Sequence, residues 1–267
     1  MNKYLSLLRI TITQALQYRA EIFIWILLDI FPTAILAITW ITIFQGRELV
    51  GGKTLSQLLT YYFAVLIILN LTESHFENRW VDHILHGKID HFFAKPLHLL
   101  LWIFFQEIGA KIFSFILFIL PFSLFVGALI KTGIYQIPAF FPFQIPMFVL
   151  FILLAFLSDA LLSFFVIFAA FWMEEARSLS HAKMMLIGLF GGALAPLSFY
   201  PEWIQKMAEV LPFKRMIATP ALLLTEQSSL HYFAKELGIL FVFTVILFIM
   251  FGIFWKLAKR KYSSAGG

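Results

Sequence analysis

The sequence predicts an all-α membrane protein with six transmembrane helices, and three observations lead there. Apolar residues make up 61% of the 267, charged residues only 13%, and mean hydropathy is +0.89. Soluble domains run near 45–50% apolar and about 25% charged. The apolar residues also come in continuous, Phe-rich runs, whereas the strands of a membrane barrel alternate apolar with polar. Finally, polar and proline-rich interruptions divide the chain into six such runs, and a helical crossing needs about 20 residues. What remains leaves no room for a soluble catalytic domain. The absence of cysteine excludes disulfides and thiolate chemistry. An excess of five positive charges is what cytoplasmic loops carry, and no nucleic acid is needed to explain it.

Residues 1–20 read as an amphipathic helix lying in the cytoplasmic interface. Leu5, Leu8, Ile12 and Leu16 share one face, opposite Asn2, Ser6, Arg9, Thr13 and Gln17. This stretch is too polar for the apolar core of a cleavable signal peptide. Span 1 is expected at 22–44, with Asp29 and Pro32 inside it, and a Gly-containing loop follows at 45–53. Span 2 is expected at 58–74, with Asn70 and Glu73 near its end. Span 3 is expected at 99–129, span 4 at 147–173, span 5 at 183–195 and span 6 at 233–255. A loop with Pro138, Pro142 and Pro146 separates spans 3 and 4, and a tight charged turn at 174–181 separates spans 4 and 5.

Two stretches break the apolar pattern. The first, 77–98, is the longest charge-rich interruption in the chain. Phe76, Trp80 and Ile84 fall on one helical face. Gly87 breaks the run, Ile89, Phe92 and Phe93 start a second short face, and Lys95-Pro96 closes it. The result is an amphipathic elbow. Its Trp80, Ile84, Ile89 and Phe92 turn to lipid or neighbouring helices, and its Arg79, Asp82, Lys88, Asp90 and Lys95 are offered to water. The second stretch, 196–224, holds four prolines. One short helix is expected at PEWIQKMAEVL, with Pro201 at its start and Trp203, Met207 and Val210 on one face. Pro196, Pro212 with Phe213, and Pro220 interrupt the rest, so two short helices that dip into the membrane fit better than a crossing.

Orientation follows from lysine and arginine. With the N-terminus inside, the inner segments carry twelve and the outer ones seven. That places both termini and the elbow in the cytoplasm, and the proline-rich hairpin outside. No internal repeat is evident, which argues against an inverted-repeat transporter.

This order of elements resembles the membrane subunit of an ABC-2 type (type V) ABC exporter. Within the elbow, GKIDHFFAKPL is similar to the G-x-[IL]-D-x-x-[FL]-x-[RK]-P-[LI] signature of one ABC-2 permease group. GALAPLSFYPEWIQKMAEVLPF is similar to that group's run of small residues, Pro-Leu, Phe-x-Pro, Trp and Leu-Pro-Phe. The resemblance implies one permease domain over 1–267 in a bacterial plasma membrane. It further implies a pathway formed with a second permease, identical or related, and a dimer of separate cytoplasmic ABC ATPases that bind ATP and Mg. Under it, 77–98 is the coupling helix, with Arg79, Trp80, Asp82, Ile84, Lys88, Asp90, Phe92, Lys95 and Pro96 meeting the ATPase. The chain has no G-x-x-x-x-G-K-[ST] phosphate loop of its own.

Charges inside spans are the remaining signal. A carboxylate at mid-span costs about 2.5–3.5 kcal/mol on insertion scales and must face protein or water. Asp159 and Asp29 therefore line a pathway or bond between spans, with proximity to the cytoplasmic interface the alternative for Asp29. Glu107 and Lys111, four apart in span 3, can neutralise each other. Gly188, Gly191, Gly192 and Ala193 permit close helix approach. The elbow histidines His83, His86, His91 and His98 show no clean ligand spacing, so no metal is expected. Two other functions were weighed: an ion-driven secondary transporter working through Asp159, and a membrane-embedded lipid-modifying enzyme built on Glu174, Glu175 and His181.

Overall fold

The computed structural model describes Thr13 and residues 19–89, 98–139, 141–225 and 229–261. The expected interfacial helix at 1–20 and the elbow residues Asp90, Phe92, Lys95 and Pro96 therefore lie outside the described residues, as does the side chain of Asp29. The described residues are helical apart from turns and one isolated bridge between Val50 and Lys53. The helices are α1 (Arg19–Ile43), α2 (Leu55–Thr72), α3 (Phe76–Leu85), α4 (Leu99–Lys131), α5 (Gln144–Ala169) and α6 (Ala176–Phe190). A 3-10 turn (Leu197–Phe199) then leads to α7 (Glu202–Val210), α8 (Phe213–Met216), α9 (Ala218–Leu223) and α10 (Leu230–Lys261).

Among the described residues, four stretches are long and apolar enough to cross a bilayer: 55–85, which takes in α2 and α3, and then α4, α5 and α10. The six expected spans are thus met by length at four places. The described apolar part of α1 is Ile30–Ile43, and α6 has 15 residues, about 22 Å at 1.5 Å per residue against a hydrocarbon core of about 30 Å. The expected turn at 174–181 is also corrected. The chain turns at 170–175, and α6 already starts at Ala176. Ala176, Ser180, Lys183, Ile187 and Phe190 form one buried stripe on it. Two of those five core positions are polar, so the helix start read as loop.

Local chemistry accounts for the helix ends. Thr54 and Gln57 close a capping box at the start of α2. Pro201 stands at the start of α7. Gly87, at φ +65°, ends the turn after α3, a backbone region that other residues avoid. Pro121 lies inside α4.

α2 is buried over most of its length and α5 over about half of it, and α10 packs along α5. Phe164 and Phe168 of α5 meet Phe251 at 5.2 and 5.5 Å, and Phe168 stacks on Trp255 at 5.7 Å. The outer faces of α1, α4 and α10 expose large side chains such as Phe31, Leu124 and Phe248. In a bilayer those faces meet lipid and cost nothing, because lipid tails are as apolar as the core.

The bundle has two distinct ends. One gathers α3, the start of α4 and the last turns of α5 and α10 around Trp80, Ile103, Phe168 and Ala258. The other holds the 45–53 loop and the segment 196–224. There Trp40 stacks on Phe199 at 5.7 Å, and Gly51 lies so close to the Phe199 ring that a Cβ would stand 2.2 Å from it. Segment 196–224 is held by buried charges. Arg215 of α8 reaches Glu236 of α10 at 2.9 Å, both nearly fully buried, and donates from its guanidinium to the carbonyls of Glu209 and Leu211. Lys214 pairs with Glu209. Met216 and Ile217 then descend into the core. On α7, Trp203, Met207 and Val210 do share a face, but it is the exposed one; Ile204 and Ala208 are buried.

Two of the glycines after α6 are needed for close approach. A Cβ on Gly191 would meet the Ile217 side chain at 2.9 Å, and one on Gly192, at φ +77°, would meet the Tyr61 hydroxyl at 2.8 Å. That hydroxyl donates to the Gly192 carbonyl at 2.7 Å. Gly188 has open space around it. Gly192→Ala is expected to destabilise the detergent-solubilised protein by about 1–2 kcal/mol from the backbone conformation alone. Gly188→Ala should be neutral or stabilising by up to about 1 kcal/mol. Thermal unfolding of the two variants side by side checks both.

Candidate functional site: a buried charge cluster behind the elbow

Helix α3 is the elbow, and its packing follows from its sequence. Phe76, Trp80 and Val81 are buried, Ile84 is partly buried, and Arg79 and Lys88 are exposed. Phe76 meets Phe164 of α5 at 5.3 Å. Ile89, beyond the turn, is buried in the same cluster. Asp82 is partly exposed and pairs with Arg177 at the start of α6.

Glu77 behaves differently from the other elbow charges. It points inward and is fully buried. Its Oε1 accepts hydrogen bonds from the Ser180 hydroxyl at 2.7 Å and from Lys183 Nζ at 3.0 Å. Its Oε2 has neither solvent nor a hydrogen-bond partner.

Lys183 is the centre of the arrangement. Its Nζ donates to Ser163 Oγ at 2.6 Å and to the Ser74 carbonyl at 3.0 Å, and lies 3.4 Å from Asp159 Oδ1. Asp159 Oδ2 in turn accepts the Ser74 N–H at 2.8 Å. Five positions on four segments thus share one polar knot: Ser74 between α2 and α3, Glu77 on α3, Asp159 and Ser163 on α5, and Lys183 on α6. Two carboxylates face one ammonium. Met216 and Ile217, the deepest part of the 196–224 segment, border the same spot.

The candidate residues therefore separate. Asp159 bonds between segments at this knot. Glu107 and Lys111 sit apart from it, on the wall of a groove with Glu73, His75 and Arg79. Lys111 Nζ donates to the Asn70 carbonyl at 3.1 Å. Glu77 and Lys183 are the members that sequence reasoning missed as a pair. Nothing in their spacing links them, because one looked like a solvated elbow charge and the other like the polar end of a span. Glu174, Glu175 and His181 are all exposed and form no enclosed site. His86 bonds the Asp82 carbonyl through Nδ1, and His98 lies against Trp255. Among the described residues no group of three or more His, Cys, Asp or Glu could hold a metal ion.

Magnitudes rank the two ion pairs that tie α3 to α6. The exposed Asp82–Arg177 pair contributes about 0–1 kcal/mol. Removing one partner of a buried pair costs about 3–5 kcal/mol, since the other charge is stranded. Lys183→Met should therefore destabilise the protein by about that amount, and Arg177→Ala by less than about 1 kcal/mol. Combining Lys183→Met with Asp159→Asn and Glu77→Gln should recover part of the loss. Thermal unfolding of the three variants in one detergent is the measurement.

A family model described as an ABC-2 family transporter protein matches residues 30–266. No curated protein and no solved structure matches the chain.

Proposed function

The chain belongs to the ABC-2 transporter family and is a multi-pass membrane protein, and on that premise we propose that it is the permease subunit of an ATP-driven exporter. It forms a translocation pathway with a second permease and is driven by separate cytoplasmic ATPases, which bind ATP and Mg. Export as the direction rests on the family resemblance.

The observation that carries this reading is the buried Glu77–Lys183–Asp159 cluster. An elbow that merely lay on the surface could move without consequence. Here α3 is joined to α5 and α6 through charges that cannot separate cheaply in a low-dielectric interior. A push on the exposed side of α3 and the turn after it, at Arg79 and Lys88, is thus delivered to the core of the bundle. Helix α3 is the coupling helix in this account, with Asp82, Asp90, Phe92, Lys95 and Pro96 completing its ATPase-facing surface. The re-entrant hairpin is 196–224, whose inner tip at Met216–Ile217 borders the cluster and would feel the same displacement.

The six-span topology is retained, with α1 as the first span and α6 as a short fifth. Both termini are placed in the cytoplasm of a bacterial inner membrane. Burial supports this orientation. Lys183 leaves the count of loop charges on the inner side, and Lys214 and Arg215 leave it on the outer side, because all three are buried and paired. Eleven inner against five outer remain, a stronger asymmetry than the bare sequence gives.

Charge reversal at Arg79→Glu with Lys88→Glu is expected to reduce co-purification of the chain with its partner ABC ATPase by at least fivefold. Membrane insertion should be unchanged. Undiminished co-purification would remove the elbow from the ATPase interface.

A further inference from the structure

We propose that the groove between α1, α2 and α4 binds an amphiphile with a single apolar tail and a zwitterionic head. The proposal rests on the transporter reading for its purpose and, apart from Arg79, on separate residues for its evidence. Two cavities, of about 840 and 350 Å³, share Glu73, His75, Lys111 and Ser114 in their walls and so adjoin as two halves of one site.

The two halves differ in chemistry. One half is walled by apolar residues, among them Pro32, Leu36, Val65, Leu66 and Leu194. The other holds Glu73, Glu107, Lys111, Arg79 and Gln106. Two carboxylates and two permanent cations face each other there without close pairing. Glu73 has His75 at 3.8 Å, Arg79 reaches Gln106 at 3.5 Å, and Lys111 donates to a backbone carbonyl. A head carrying both an ammonium and an acidic group would complement both signs, whereas a singly charged head would leave one pair repelled.

Geometry sets the depth. The wall of α2 runs from Tyr62 to Glu73, on the order of 16 Å at 1.5 Å per residue, which suits a medium-length acyl chain. The polar half opens where α2 gives way to α3. That is the level of the elbow, so a head enters from the inner leaflet or the cytoplasm and the tail points toward Leu194.

The test uses the full chain in nanodiscs and a tail-labelled fluorescent lysophosphatidylethanolamine as probe. Saturable binding is expected. Glu107→Gln with Lys111→Met should weaken it at least tenfold, and so should Ser114→Phe, which fills the junction of the two halves without changing charge. Thermal unfolding near wild type certifies each variant. Phosphoethanolamine alone and a labelled fatty alcohol alone should each bind at least tenfold more weakly than the intact probe. Competition by soluble lysolipid but not by nanodisc phosphatidylethanolamine identifies a free amphiphile as the occupant, and the reverse identifies a bilayer lipid. Equal binding by wild type and both folded variants, or equal binding of the fatty alcohol, would overturn the proposal. ATPase co-purification is unaffected by these outcomes, so failure here leaves the permease reading standing, and the converse also holds.

Discussion

The structure depends on one ammonium group. Lys183 Nζ lies within 3.4 Å of two carboxylates, a serine hydroxyl and a backbone carbonyl. Those partners come from α3, from α5 and from the link between α2 and α3. Around it the protein is almost wholly apolar, and dispersion packing between helices in lipid is permissive about sliding. A charge cluster is not. Both carboxylates depend on the same ammonium, and small departures leave a charge exposed to low dielectric. The cluster therefore sets the register of α3 and α6 against α5 more sharply than the neighbouring phenylalanines can.

Its position is as informative as its chemistry. The exposed side of α3 has the charges expected of a surface that meets protein, while the buried side carries the single acid that reaches Lys183. The same cluster borders Met216 and Ile217, whose chain is anchored at the far end through Arg215 and Glu236. Both polar interruptions of the sequence thus converge on one place in the core. A transporter worked from one side of the membrane needs such a connection between its ends.

Much of this was legible in the residues, and two causes account for the rest. The face of α3 at Phe76 and Trp80, the start of α7 at Pro201 and the burial of Asp159 all followed from spacing and insertion cost. Trp203, Met207 and Val210 were correctly put on one face, yet that face is outside. In a lipid solvent, apolar periodicity finds a face but loses its sign, since both directions are apolar. Ser180 and Lys183 hid the first turns of α6 because polar residues at core positions look like loop. The partner of Asp159 was invisible for a different reason. Lys183 is 24 residues away, on another helix, and only the fold brings them together.

Helix α4 carries a last implication. Its elbow-side half is fastened by the Lys111 bond to the Asn70 carbonyl, and just beyond its C-terminal end Tyr135 is held to Thr60 at 3.1 Å. Between these moorings lies Pro121, whose ring nitrogen has no hydrogen to give to the preceding turn. The strut is thus already missing one rung. It can articulate there without breaking a backbone bond, so the two halves of the longest helix are free to tilt by different amounts while both stay moored to α2 and its flanking turn.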